Sequence, residues 1–215
     1  MAKRRKVSKK KVRTFIFVLI VMIIAIIGAI FYVDNNEKEK PITIKSVDKI
    51  EGYDYTLSSN ATKYYKSLFK QLKEVLEDKE VDESKYADLV TKLFVADFYN
   101  LDNKANKNDI GGVMFVYKDF REDFKKIAAD SIYKNVLNNT YGDRKESLPV
   151  VTNVSTEKKD NSTFKYGDSS DDKAYNINFK ITYKNEEDYQ DSGKIILIHN
   201  DKKLEIAALE ESSEN

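Results

Sequence analysis

The chain has 215 residues, 41% hydrophobic and 12% aromatic, which gives it the composition of a globular protein with one core and short appendages. It contains no cysteine, so disulfides, thiolate zinc sites, a thiol nucleophile and a lipoprotein anchor are excluded. Eight of its 37 cations fall within residues 1–13, which hold no acid; the rest of the chain carries 29 cations against 36 acids, about −7, and a nucleic-acid partner is not expected of such a body.

In chain order, "AKRRKVSKKK" comes first and abuts "TFIFVLIVMIIAIIGAIFYV", Thr14 to Val33, an uncharged run. At about 1.5 Å per residue this run spans roughly 30 Å, the thickness of a bilayer hydrocarbon core. The sequence therefore predicts a basic cytoplasmic tail over residues 1–13 and an anchor in the lipid bilayer over residues 14–33. The positive flank keeps the N-terminus inside and sends the C-terminal domain across the membrane. A cleaved signal peptide is the alternative; Ile27-Gly28-Ala29 is a poor cleavage site, and apolar residues continue past it. Residues 34–52, which include "DNNEKEKP", read as a linker.

The outer domain is expected over residues 53–209, with a frayed tail at 210–215. Tyr65, Leu68, Phe69, Leu72, Val75 and Leu76 form one helical stripe, with Ser58, Ser59 or Asn60 as N-caps. A second helix presents Tyr86, Leu89, Val90, Leu93 and Phe94, with Phe98 just beyond, and is capped by Asp82 or Ser84. A third follows the double glycine, with Phe120, Phe124, Ile127, Ser131 and Ile132 at spacings of three and four. "YGDRKESLP" reads as a helix-to-strand connection in which Gly142 serves as the helix stop. The period then becomes two. "LPVVTNVSTEK" reads as a strand, and in "AYNINFKITYK" Tyr175, Ile177, Phe179, Ile181 and Tyr183 alternate with polar residues. "GKIILIH" and "KLEIAAL" flank "NDK" as a hairpin. Helices followed by an antiparallel sheet make an α+β domain, with one sheet face on the helices and the other solvated or facing a partner.

This layout resembles the cone-shaped nuclear-transport-factor-two-like fold, in which a curved antiparallel sheet wraps around helices. Behind a basic tail and one spanning helix it is similar to the bitopic scaffold subunit of type IV secretion and conjugation machines. The run "DFYNLDNKANKNDIGGVMFVY", Asp97 to Tyr117, is similar to one in uncharacterised membrane-anchored proteins of Gram-positive bacteria. These resemblances imply a cell-envelope assembly and bring no functional residue with them.

No catalytic, cofactor or metal signature emerges. "DIGGVMF" follows a helix and lacks both the spacing and the lysine of a phosphate loop. A calcium loop aligned on Asp102 would put Lys104 at a ligand position, and "DSSDDK", Asp168 to Lys173, lacks the turn glycine and closing glutamate of one. "DSSDDK" reads instead as the loop entering the alternating strand. His199, the only histidine, has no local set of co-ligands in the sequence. Asn103, Asn106, Asn108 and Asp109 remain as a candidate partner-binding loop, with turn formation by the asparagines, a helix cap from Asp109 and backbone freedom or close approach at Gly111 and Gly112 as the structural reading. The expected function is non-enzymatic protein–protein interaction in the envelope, with unknown envelope proteins or a second copy of the chain as partners. A small-ligand-binding or enzymatic cone-like domain is the alternative.

Overall fold

The computed structural model describes residues 43–185 and 189–211; the expectations for the tail 1–13, the span 14–33, the first part of the linker and residues 212–215 lie outside them. Among the described residues no helix is long and apolar enough to cross a membrane. They form an α+β domain of three α-helices and seven strands, and every strand pairing is antiparallel.

The domain begins earlier than the sequence indicates. Strand β1 (Ser46–Ile50) lies within the stretch read as linker and pairs with β2 (Tyr55–Ser58) as a separate two-stranded sheet. Both strands are short and rich in charge or hydroxyl, so their alternation is faint. What fixes them is burial of Ile50, Tyr55 and Leu57. The Tyr55 hydroxyl lies 2.7 Å from that of Tyr86, which also accepts from Leu204 N at 3.1 Å. That pair joins β2, the second helix and the last strand.

Helix α1 (Lys63–Glu77) buries the six residues of its predicted stripe. Its cap is Thr62, which accepts from Tyr65 N at 3.1 Å, and not one of Ser58, Ser59 or Asn60. Ser58 belongs to β2, and Asn60 is engaged with Asn103. Helix α2 (Glu83–Phe98) is capped by Asp82 as expected, and it is buried on more than the predicted face. It packs on α1 and on the sheet, so Ala87, Thr91, Val95 and Ala96 are also enclosed.

The third helix does not follow the double glycine directly. Two 3-10 turns, Val113–Phe115 and Lys118–Phe120, precede α3 (Arg121–Asp130). Arg121 fastens this passage: Nε donates to Val116 O at 2.8 Å, and a terminal nitrogen reaches Met114 O and the buried Glu205 carboxylate, each at 3.2 Å. Ile127, predicted to face the core, is 68% exposed. Phe120, Phe124 and Ala128, spaced by four, carry the inward stripe, and Ile127, about 60° from Phe124 and about 100° from Ala128 on the helical wheel, falls at the edge of that stripe. Gly142 does not stop this helix; it closes a later turn at φ 78° by donating to Asn139 O at 3.0 Å.

The main sheet runs β3 (Val151–Lys158), β5 (Ser169–Tyr183), β6 (Ser192–Asn200), β7 (Lys203–Glu211), with β4 (Ser162–Tyr166) paired to the first half of β5. The strand at 151–158, the 175–183 alternation and the 192–211 hairpin match the sequence reading. "DSSDDK" is not a loop: Ser169 to Lys173 belong to β5, and the turn is at Gly167 and Asp168. Glu210 and Glu211, assigned to a frayed tail, lie in β7. The outer sheet face is not simply solvated, because Ala174, Ile196 and Ile198 form a small apolar cluster there beneath Phe164, Tyr166 and Tyr117.

Candidate functional site

The loop from Leu101 to Gly112 is built from side chains that serve the backbone. Asn100 accepts from Val151 N at 3.0 Å and donates to Asn103 Oδ1 at 2.9 Å. Asn103 and Asn60 exchange amide-to-carbonyl bonds at 3.3 and 3.1 Å. Asn106 accepts from Asn108 N at 2.9 Å, and Asp109 accepts from Ala105 N at 2.8 Å. Asp109 is therefore a turn brace and not the cap of the next helix. Of the four candidate partner-binding residues, Asn103, Asn106 and Asp109 are half-buried and spend bonds within the loop, and only Asn108 is exposed.

Under the loop sits an ion pair the sequence does not announce. Lys104 is 5% exposed, and its Nζ meets Asp97 Oδ1 at 2.5 Å. The other Asp97 oxygen accepts from Gly112 N at 2.7 Å. Gly112 has φ 74°, and a Cβ there would stand 2.6 Å from Cδ2 of Phe94. At Gly111 a Cβ would run into the Asp97 carbonyl and lie 2.8 Å from Lys104 Nζ. The double glycine thus answers to one left-handed turn and one close approach. The Tyr133 hydroxyl accepts from Gly111 N at 3.0 Å and donates to Phe98 O at 2.6 Å, and Arg144 clamps the carbonyls of Lys104 and Asp102 at 3.0 and 2.5 Å.

This ion pair lines a polar cleft of about 180 Å³ between the loop, β2 and the start of α1. Thr56, Ser58, Tyr65 and Asp109 share its wall. Burial raises the Tyr65 hydroxyl well above its ordinary pKa, with the nearby Asp97 carboxylate acting in the same sense.

A second, larger cleft of about 460 Å³ lies between α2, α3 and β7. Its lining is mostly apolar: Phe94, Phe98, Phe120, Phe124 and Ile206 among others, with Asp123, Ser131 and Gln190 as its polar members. Part of the space comes from β7. Ile196 pairs with Ala208 and the next residue, Leu197, with Ile206, leaving Ala207 as a bulge. Two alanines at that bend leave room that larger side chains would fill.

A third grouping surrounds His199. Asp171 accepts from its backbone N and lies against its Nδ1, both at 2.7 Å, while Nε2 stands 3.6 Å from Glu83 Oε2. Tyr175 donates to the same Glu83 oxygen at 3.2 Å. Burial pushes the Asp171 carboxyl up, but bonds from His199 N, Lys173 N and the imidazole outweigh this and hold it below the usual carboxylate range. His199 thus does have acidic neighbours, from α2 and β5, that its local sequence does not disclose. Among the described residues no group of three or more acidic or histidine side chains is arranged to hold a metal ion.

No protein-family model, curated protein or solved structure matches the chain. The two clefts were not visible in the sequence. A signal for the polar one existed in the crowding of asparagines around a glycine pair, but Lys104 looks like any solvated lysine until the loop closes over it.

Proposed function

We propose that the chain is a non-enzymatic, single-pass membrane protein whose extracytoplasmic α+β domain, cone-like in form, binds a partner protein in a cell-envelope assembly of the secretion or conjugation type. The supporting observation is the apolar cleft on α2, α3 and β7, lined by four phenylalanines with Ile127 exposed on its wall. Aromatic-rich depressions of this kind suit the insertion of apolar anchor side chains from a partner. The uncharged run 14–33 behind eight cations supports the anchor and its orientation.

The test uses the full chain in its native membrane. A photo-crosslinking residue at Ile127 should trap one defined envelope protein, and the same residue at exposed Lys79 should not. With that protein purified, Ile127→Asp should weaken binding about 30-fold, the effect of an interface anchor worth about 2 kcal/mol. Equal affinity would remove the cleft from the interface. Protease added outside intact cells should degrade residues 43–211 and spare the N-terminus; protection would reverse the proposed orientation. A second reading rests on cleft size: about 460 Å³ falls in the roughly 300–1,000 Å³ range of small-molecule sites. Co-purification of an apolar small molecule, lost in Ala207→Leu, would favour that reading.

A further inference from the structure

The polar cleft contains a defect that calls for an occupant. Tyr65 is 5% exposed, and its hydroxyl is buried with no hydrogen-bond partner. A buried hydroxyl without a partner is costly, and a native fold retains one where something else completes it. Tyr65 shares the cleft wall with Lys104, whose ammonium has three donors and gives one to Asp97. The hydroxyls of Thr56 and Ser58, on the same wall, make no side-chain hydrogen bond within the described residues. This side of the cleft therefore has donors to spare and calls for an acceptor. Asp109 is the counterweight: one carboxylate oxygen braces Ala105 N, and the other has no partner among the described residues.

Charge narrows the occupant. Asp97, Asp109 and Lys104 sum to one net negative charge on the cleft wall. A bare oxyanion would deepen that charge, and phosphate would do so most. A simple ammonium would satisfy Asp109 and leave the Tyr65 O–H without an acceptor. A metal cation would meet the Lys104 ammonium. A molecule carrying both a carboxylate and an ammonium satisfies both halves. Size narrows it further: about 180 Å³ is room for roughly six waters, at about 30 Å³ each, and lies below the roughly 300 Å³ where drug-sized sites begin. Ala61, Ala96, Ile110 and Met114 supply an apolar wall for a short side chain.

We propose that this cleft is a binding site for a small free α-amino acid, the size of glycine, alanine or serine, its carboxylate taking the donors of Tyr65 and Lys104 and its ammonium facing Asp109. The site is separate from the apolar cleft and does not depend on it. Asp97 and Ala96 line the one, Phe94 and Phe98 line the other, and Gly112 touches both sets through its bond to Asp97 and its approach to Phe94.

The test is calorimetry and thermal denaturation of the purified full-length chain with glycine, L-alanine and L-serine, and with acetate and methylamine as probes of one charge each. At least one amino acid should bind saturably at micromolar to low millimolar concentration and raise Tm, while acetate and methylamine do neither at the same concentration. Tyr65→Phe removes only the hydroxyl; it should weaken binding tenfold or more and leave the unliganded Tm unchanged or higher, because it deletes an unpaired polar group. Asp109→Asn keeps an acceptor for Ala105 N and should also weaken binding at least tenfold. Absence of binding by all three amino acids overturns the proposal, as does binding that both variants retain. A fall in the unliganded Tm of Tyr65→Phe would also overturn it, since the hydroxyl would then already be satisfied without a ligand.

Discussion

The two clefts on α2 are made in opposite ways. The polar one is walled by a loop whose shape depends on individual atoms: Asp97 shared between Lys104 and Gly112, Asn103 locked to Asn60, Tyr133 bridging Gly111 and Phe98. The apolar one is walled by the sides of α3 and β7, and its form depends on side-chain volume and the bulge at Ala207. A site specified by atoms fails when one partner is removed. A site specified by volume absorbs conservative change. The contrast can be tested by substitution.

The largest effect is expected at Lys104. Lys104→Met leaves the Asp97 carboxylate with only the Gly112 N–H in a largely buried position, at a cost of about 3 kcal/mol. Adding Asp97→Leu should restore at least half of that, since removing both charges removes the unpaired one. Phe124→Leu in the apolar cleft should cost less than about 1.5 kcal/mol. Urea denaturation of the three variants decides it. If Lys104→Met proves no worse than Phe124→Leu, the loop is not held by its ion pair.

Gly112 comes next, as the residue that belongs to both regions. Gly112→Val forces a β-branched residue to φ 74° and into the Phe94 ring, and about 2–3 kcal/mol should be lost. The near-ultraviolet circular dichroism should also change, because Phe94 stacks on Phe98 at 5.3 Å and packs on Phe124. A loss of stability with unaltered aromatic signals would confine the strain to the loop and separate the two clefts.

The elements legible in the sequence were those whose burial follows a period. The α1 stripe and the Tyr175–Tyr183 alternation were read correctly because one face of each meets a single core, as Phe179 at 3% exposure beside the exposed Lys180 illustrates. β1 and β2 were lost because four or five residues hold too few periods. Spacing places Ile127 with the core, but a helix that lies over a cleft leaves an apolar residue exposed at the edge of its core stripe, and spacing alone does not reveal which residue that is. The clefts, the Lys104–Asp97 pair and the acids around His199 depend on contacts between segments distant in the chain, such as β5 with β6, or on loop closure, and neither has a local pattern.

His199 offers a smaller, pH-dependent test at the sheet end away from both clefts. Asp171 has a folded pKa below its unfolded value near 3.9, so its contribution is complete at neutral pH and is lost as pH falls through the lower folded value. Asp171→Asn should cost about 1 kcal/mol at pH 7, and the gap from the parent should narrow toward zero as the pH falls through the lowered folded value. His199→Ala removes the imidazole bond but leaves the backbone N–H donors of residues 199 and 173, so its effect should be smaller and of the same sign. Acid titrations followed by circular dichroism measure both. A gap that persists unchanged into the acid range would mean Asp171 contributes by packing and not by charge.

The smallest expected effect separates the asparagines of the loop. Asn103 is half-buried, accepts from Asn100 and donates to the Asn60 main-chain carbonyl, so Asn103→Ala should cost about 1 kcal/mol by stranding the Asn100 side-chain amide and that carbonyl, while the Asn60 amide keeps its bond to the carbonyl of residue 103. Asn106→Ala removes one short turn bond and should cost about 0.5 kcal/mol. Asn108 is exposed, its side chain makes no hydrogen bond within the described residues, and Asn108→Ala should stay within about 0.5 kcal/mol. The order matters more than the values. A loop held for its shape loses stability as its side chains become more engaged, whereas a loop held for recognition loses a partner most at the side chain that is free. Asn108 is the one position of the four where the two roles can be separated. If Asn108→Ala keeps its Tm and loses the crosslinked envelope protein, the loop belongs to the interface together with the apolar cleft. If it keeps both, the asparagines serve the polar cleft beneath them, and recognition lies on the other side of α2.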